Sequence, residues 1–242
     1  MTADFPSRKA SPEQLEKIGG IAAGMIRSGD RVGLGSGKAA LAFVRALGTR
    51  IRDQKLKVTG VPTSLLTEQV AREAGIPLAT LNEVDSLDIT IDGADEVDPY
   101  LNLTKGGGGN LTREKVVASI TKKFVIVVGE EKLAPRLGTY FPVFVEVIDF
   151  AQPVVTRKLQ SMGAQVTPRT NPDGSPFLTD NGNPYLHCLF TNGKPGNHQL
   201  HDPRDLDLAL HHIPGVVETG LFISMAHEVI VAHADGSVEH KS

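Results

Sequence analysis

The sequence predicts an α/β fold, a Rossmann-like, mainly parallel sheet with helices on both faces, joined to a smaller ferredoxin-like α+β domain. Three observations carry this. A strand-like stretch at residues 31–35 passes through glycines into a helical pattern at 39–52, with Leu41, Val44, Ala46 and Leu47 at helical spacing. Strand-like and helix-like segments then alternate as far as residues 124–128. Beyond about residue 138 the order becomes β-α-β-β-α-β.

The elements follow in order. Ser11, Pro12 and Gln14 form a helix start, with a capping serine, a proline at the first position and a capping-box glutamine. That helix is expected to run to about Ser28 and stop at Gly29. After the 31–52 unit, residues 57–61 read as a strand and 64–74 as a helix. Residues 76–81 and 87–91 read as strands, 110–120 as a helix, and 124–128 as a buried β-branched strand. In the second domain, 143–148 is a strand, 152–162 a helix, and 165–168 and 185–190 are strands around a turn-rich stretch at 171–184. A helix at 203–212 and a strand at 216–221 follow, and 228–233 is placed to return to the first domain. The expected division is 1–138 with 221–242, and 139–220.

Composition sets bounds. The chain has 242 residues, 40% of them apolar and 22% charged, and can bury a sizeable core. A net charge of -3 offers no basic excess for nucleic acid, and 5% aromatics offers little for base stacking. A single cysteine, Cys188, closes no internal disulfide and is expected as buried packing. No stretch approaches the roughly 18 apolar residues of a membrane span, and residues 1–14 lack an apolar signal core. A reduced, cytoplasmic compartment is the expectation. Glycine is in excess, 25 of 242 residues, against a usual fraction of about 7%.

Four stretches carry chemistry. Gly33-Leu34-Gly35-Ser36-Gly37-Lys38-Ala39 lies where a strand feeds a helix, so backbone N–H groups and the helix dipole favour a phosphate, with Ser36 and Lys38 adding a hydroxyl and a charge. It is neither a Walker loop, since Val32 and Ala39 stand at required positions, nor a dinucleotide fingerprint, since Lys38 replaces a glycine. A tight turn without a ligand is the alternative. Asp92-Gly93-Ala94-Asp95-Glu96-Val97-Asp98 puts four carboxylates at a strand end, suited to acid/base work, to a divalent cation, or to a solvated turn. Lys105-Gly106-Gly107-Gly108-Gly109 spends four glycines where a backbone must approach a ligand or offer N–H groups to an oxyanion, or else forms a flexible loop. Glu114 follows one helical turn into the next helix. Lys132 stands just past the strand 124–128.

In this order the four stretches, with Thr112-Arg113-Glu114-Lys115 and Ile213-Pro214-Gly215-Val216-Val217, resemble the A-type ribose-5-phosphate isomerase family over nearly the whole chain. The resemblance implies an aldose–ketose isomerase interconverting D-ribose 5-phosphate and D-ribulose 5-phosphate through an enediolate, in the non-oxidative branch of the pentose phosphate pathway. It implies that Glu114 is the proton-transfer base and that Asp92 and Asp95 open the ring and polarise sugar oxygens. It implies that Lys105 with Gly106, Gly107 and Gly108 steadies the enediolate, with Gly93 and Ala94 at the sugar. Ser36, Gly37, Lys38 and Ala39 would hold the phosphate, with Lys132 near it. No cofactor and no metal are implied, nor nucleic acid or membrane partners; a homodimer or dimer of dimers is. The family's loop usually reads Gly-Thr-Gly-Ser-Thr, where this chain has Gly35-Ser36-Gly37-Lys38-Ala39. Either the charge of Lys38 compensates for lost hydroxyls or the phosphate site has drifted.

Two other readings are weaker. A sugar-phosphate sensor of a transcription regulator would need a DNA-binding module, and only about ten residues precede the first helix. An amino-sugar phosphate isomerase-deaminase or a coenzyme A transferase would not pair Asp-Gly-Ala-Asp with Lys-Gly-Gly-Gly. The eight histidines show no ligand-like convergence in sequence, and His211-His212 would complement a helix dipole.

Overall fold

The computed structural model describes residues 10–190, 200 and 202–242. In chain order the elements are α1 (Pro12–Gly24), β1 (Arg31–Leu34), α2 (Lys38–Gln54), β2 (Thr59–Pro62), α3 (Leu65–Glu73), β3 (Ile89–Asp92), β4 (Glu96–Val97), β5 (Leu103–Thr104), α4 (Leu111–Ser119) and β6 (Phe124–Gly129). They continue with β7 (Val143–Val147), α5 (Gln152–Ser161), β8 (Gln165–Pro168), β9 (Tyr185–Leu189), α6 (Pro203–His211), β10 (Val216–Thr219), β11 (Leu221–Phe222), β12 (Glu228–Ala232) and β13 (Val238–Lys241). The described residues divide into two compact units, one of residues 10–94, 113–132 and 225–242, the other of 95–112, 133–190, 200 and 202–224.

The first unit is built on a six-stranded sheet in the order β13-β12-β6-β3-β1-β2, parallel except for β13, which runs antiparallel to β12. Strand β6 is buried along its whole length, as its unbroken apolar run requires in a sheet covered on both faces. Val32, Ile91, Val127 and Ile230 pack with Ile18 of α1 and Phe43 of α2 in one core cluster. Val117 of α4 packs with Val61 and Leu87 in a separate one. α1 starts as expected, with Ser11 accepting from the Gln14 N–H and the capping box complete. It stops at Gly24 instead of running to Ser28, because Ile26 turns into the core.

The second unit holds a four-stranded antiparallel sheet, order β10-β7-β9-β8, the expected β-α-β-β-α-β arrangement. Val143, Val145 and Val147 of β7 face a core with Val155 and Leu159 of α5. It also holds a three-stranded sheet, order β11-β5-β4, which the sequence reading did not foresee. The expected 216–221 strand is broken at Gly220, whose N–H bonds to the Phe144 carbonyl and whose carbonyl accepts from the Lys105 N–H. Pairing of β5 with β11 groups residues 95–112 with this unit, whereas the sequence reading assigned them to the first domain.

Two other expected elements shrink. Residues 76–81 make a single bridge, Leu78 to Gly60, since Pro77 has no N–H for a ladder. The strand expected at 87–91 is Ile89–Asp92.

Gly33 is a packing glycine. A Cβ there would overlap the Thr90 side chain on neighbouring β3. Gly33→Ala is expected to cost about 1–3 kcal/mol through overpacking, read as a fall in denaturation midpoint; an unchanged midpoint would refute the packing role.

Candidate active site

Three adjacent strands of the first unit, β6, β3 and β1, end at the same edge of the parallel sheet, where such sheets hold their ligands. The turn Gly35-Ser36-Gly37 follows β1, Asp92 ends β3, and Lys132 lies in a short 3-10 turn, Glu130–Lys132, after β6. Asp92 is fully buried, and its Oδ1 accepts from the N–H groups of Ser36 (2.9 Å) and Gly93 (2.7 Å). A Cβ on Gly35 would stand 2.5 Å from the Asp92 Cα, so only glycine lets β1 pass this carboxylate. Gly37, at φ 85°, opens α2 with no side-chain cap, which leaves the first-turn N–H groups to a ligand or solvent. Lys38 is exposed at the first helical position. Ala39, next to it, is half-buried.

The Ser36 hydroxyl is not turned to solvent. It bonds to Thr63 (2.8 Å), Ser64 (2.9 Å) and Thr67 (3.3 Å) in a buried hydroxyl cluster. Thr67 in turn donates to the Gly35 carbonyl (3.0 Å), fixing the turn from below. The sequence reading missed this cluster; the capping Ser64 before α3 was its visible trace. Glu114 lies in the first turn of α4 and is 6% exposed, its carboxylate at the positive end of the helix dipole.

The second unit carries the other two stretches. Lys105 directly follows β5 and is buried, with its Nζ 5.6 Å from the centre of the Phe222 ring. Gly106, at φ 121°, is followed by Gly107, whose N–H donates to Asp95 Oδ2 at 2.8 Å. Gly107 and Gly108 are exposed. Tyr185 donates to the Gly106 carbonyl (2.6 Å) and Arg169 to the Gly107 carbonyl (3.2 Å). The backbone of Gly106 and Gly107 is thus held by Asp95, Tyr185 and Arg169.

Comparison with known proteins decides the family. The sequence model of ribose 5-phosphate isomerase A (phosphoriboisomerase A) matches residues 59–236. A ribose-5-phosphate isomerase A of Desulfatibacillum aliphaticivorans is 48% identical over 218 residues, 90% of this chain and 92% of that protein. The chain belongs to the ribose-5-phosphate isomerase A family. Among solved structures, the family member from Methanocaldococcus jannaschii superposes with a TM-score of 0.89 at 39% identity, over 96% of this chain and 100% of that one. A D-ribose-5-phosphate isomerase in complex with phospho-erythronic acid superposes with a TM-score of 0.89 at 35% identity, with the same coverage.

Within this isomerase-family chain the acidic run divides by task. Glu96 is fully buried and accepts from the Thr104 hydroxyl and from the N–H groups of Gly138, Tyr140 and Phe141. Burial pushes its carboxyl above the ordinary range, against the pull of those donors. Asp98 accepts from the N–H groups of Tyr100 and Asn102 and closes their turn. All four expected carboxylates accept from backbone N–H groups, Asp92 and Asp95 from the glycine-rich turns and Glu96 and Asp98 from other turns. Cys188 is buried and its thiol pKa is raised by desolvation.

One expectation about histidines needs correcting. His211 does converge with carboxylates, since Asp207, His211 and Glu218 place ligand-type atoms within 4.8 Å of one another. Hydrogen bonding to Glu218 raises the His211 pKa. His198 and His201 lie outside the described residues.

His187, on β9, lies edge-on to Phe144 at 5.0 Å between ring centroids. Burial, aided by the charge of Arg169, pushes its pKa down to about 4 from an ordinary 6.5. Between those values the unfolded chain binds a proton that the folded chain refuses, so this residue's contribution to stability falls as pH drops across that window. An NMR titration should show His187 neutral until close to pH 4; a midpoint near 6.5 would contradict its burial.

Proposed function

We propose that this chain interconverts D-ribose 5-phosphate and D-ribulose 5-phosphate through an enediolate, with no external oxidant. The carbonyl moves between C1 and C2 of one molecule, so what one carbon loses the other gains. The observation that carries the reading is Glu114, a buried carboxylate in the first turn of α4, in a chain of this family. A phosphorylated sugar acid bound to a related enzyme supports the same substrate class.

Each step has a residue. Asp92 and Asp95 assist ring opening and polarise the sugar oxygens. Glu114 removes the proton from C2 of the aldose and returns it to C1. The growing oxyanion is met by Lys105 and by the backbone of Gly106, Gly107 and Gly108, with Gly93 and Ala94 bordering the sugar. The phosphate lies at the uncapped start of α2, on Gly37, Lys38 and Ala39, with Lys132 beside it. The hydroxyl of Ser36, expected at the phosphate, is instead taken up by the buried cluster with Thr63, Ser64 and Thr67 and shapes the turn. The Ser36 backbone N–H is committed to Asp92, so Ser36 ties phosphate loop and sugar carboxylate together.

The enzyme is proposed to work in the cytoplasm, in the non-oxidative branch of the pentose phosphate pathway, as a homodimer or dimer of dimers. Among the described residues no helix is long and apolar enough to cross a membrane. Ile148, Phe150 and Val154 expose apolar side chains within seven residues, surface of the kind that oligomers cover.

An isomerisation assay in D2O tests the chemistry. Glu114→Gln is expected to lower kcat by about 10²–10⁴-fold, the range lost with a general base, and to stop deuterium uptake at C1 and C2. Full activity in that variant would remove Glu114 from the proton transfer. Lys38→Ala is expected to raise KM for the phosphosugar about tenfold, the scale of one lost charge-assisted contact; an unchanged KM would mean that Lys38 does not replace the hydroxyls.

A further inference from the structure

The two faces of β7 do different work. Val143, Val145 and Val147 point into the core of the small sheet. Phe144 and Glu146 point the other way, and their partners across the ladder on β9 are His187 and Tyr185. Glu146 is fully buried, yet it sits among neutral donors. Its Oε1 accepts from the Thr179 hydroxyl (3.0 Å), the Asn181 amide (3.1 Å) and the Asn183 amide (2.8 Å). Its Oε2 accepts from the Thr112 hydroxyl at 2.6 Å. Thr112 is the second residue of α4, two positions before Glu114.

Tyr185 acts at the other end of the same segment. Its hydroxyl donates to the Gly106 carbonyl, and a Cβ on Gly106 would overlap that hydroxyl. Its ring stacks on Phe144 at 5.7 Å, which fixes the donor's direction. Arg169, 3.9 Å above the Phe177 ring, adds the bond to the Gly107 carbonyl.

We propose that Glu146 and Tyr185 are positioning residues, gripping the two ends of residues 106–112 from one face of the small sheet. Tyr185 sets the glycine backbone, and Glu146, through Thr112, sets the start of the helix that carries Glu114. The proposal rests on the reading of Glu114 as the base. Proton transfer and oxyanion stabilisation both depend on placement at the scale of an ångström, and side chains at a reacting centre need a supporting layer to hold them. A carboxyl group suits this task, because its two oxygens accept several hydrogen bonds of differing direction at once.

Thr112→Val is the decisive variant. It keeps the shape and removes one hydroxyl, while Glu146 retains Thr179, Asn181 and Asn183. The expected result is a fall in kcat of about tenfold, a loss of the size that small misplacements produce, with KM within about twofold of the parent and Thr112→Ser close to the parent. Tyr185→Phe, read in the same assay, is expected to lower kcat in the same way. A parental kcat in Thr112→Val, or an equal loss in Thr112→Ser, would overturn the proposal, since the hydroxyl would then carry nothing. Amide hydrogen exchange over residues 106–112 separates this from the isomerase reading. An inactive parent would overturn that reading, and the grip would still be judged by whether exchange rises in Thr112→Val; unchanged exchange would overturn it.

Discussion

A buried carboxylate at the end of β3 governs the working edge of the parallel sheet. Asp92 has no exposed surface, and a buried charge is costly unless hydrogen bonds replace its water. Its Oδ1 takes the N–H groups of Ser36 and Gly93, which obliges the chain leaving β1 to pass alongside. Only glycine at position 35 permits that approach. The turn then needs positive φ at Gly37 to enter α2, and hydroxyls from Thr63, Ser64 and Thr67 hold it in place. The uncapped helix start proposed for the phosphate is thus a consequence of how one aspartate is satisfied.

The same economy explains the other acids. Glu96 and Glu146 are buried like Asp92, but each is surrounded by donors that belong to distant parts of the chain. They act as fasteners: Glu96 joins β4 to residues 138–141, and Glu146 joins β7 to the start of α4. Carboxylates are good fasteners because one group accepts several bonds of differing direction. The residues proposed for the chemistry and those proposed to hold them in place are here drawn from the same side-chain type.

Much of this was legible in the sequence, because strand, glycine turn and helix leave local marks. The parallel alternation, the β-α-β-β-α-β order and the strand-end position of Asp92 all follow from local periodicity. The resemblance added the family and the roles proposed for Glu114, Asp95, Lys105 and Lys132. What stayed hidden was non-local. The two-residue strands β4, β5 and β11 have no period to read, and β5 pairs with β11 across more than a hundred positions, Thr104 with Leu221. Glu146 reads as one charge in a valine-rich strand until Asn181, Asn183 and Thr112 are brought to it. Gly33 reads as part of a ligand loop, although its real constraint is Thr90 on the next strand. The excess of glycine therefore has several sources: close packing between strands, shaping of the site, and turns at positive φ such as those at Gly29, Gly75 and Gly163.

The position of β12 has a consequence for how the molecule comes into being. This strand is far in sequence from its neighbour β6, Glu228 pairing with Val125, yet it is interior to the six-stranded sheet, flanked by β6 and β13. Ile230 and Ala232 belong to the same core cluster as Ile18, more than two hundred residues earlier. Until β12 pairs with it, the apolar edge of β6 has no neighbour on that side. Such long-range closure is slow and exposes an unpaired edge in the meantime. Once β12 is in place, β13 covers its outer edge with Glu239, His240 and Lys241 among its residues, so the finished sheet presents a charged border where the nascent one was adhesive.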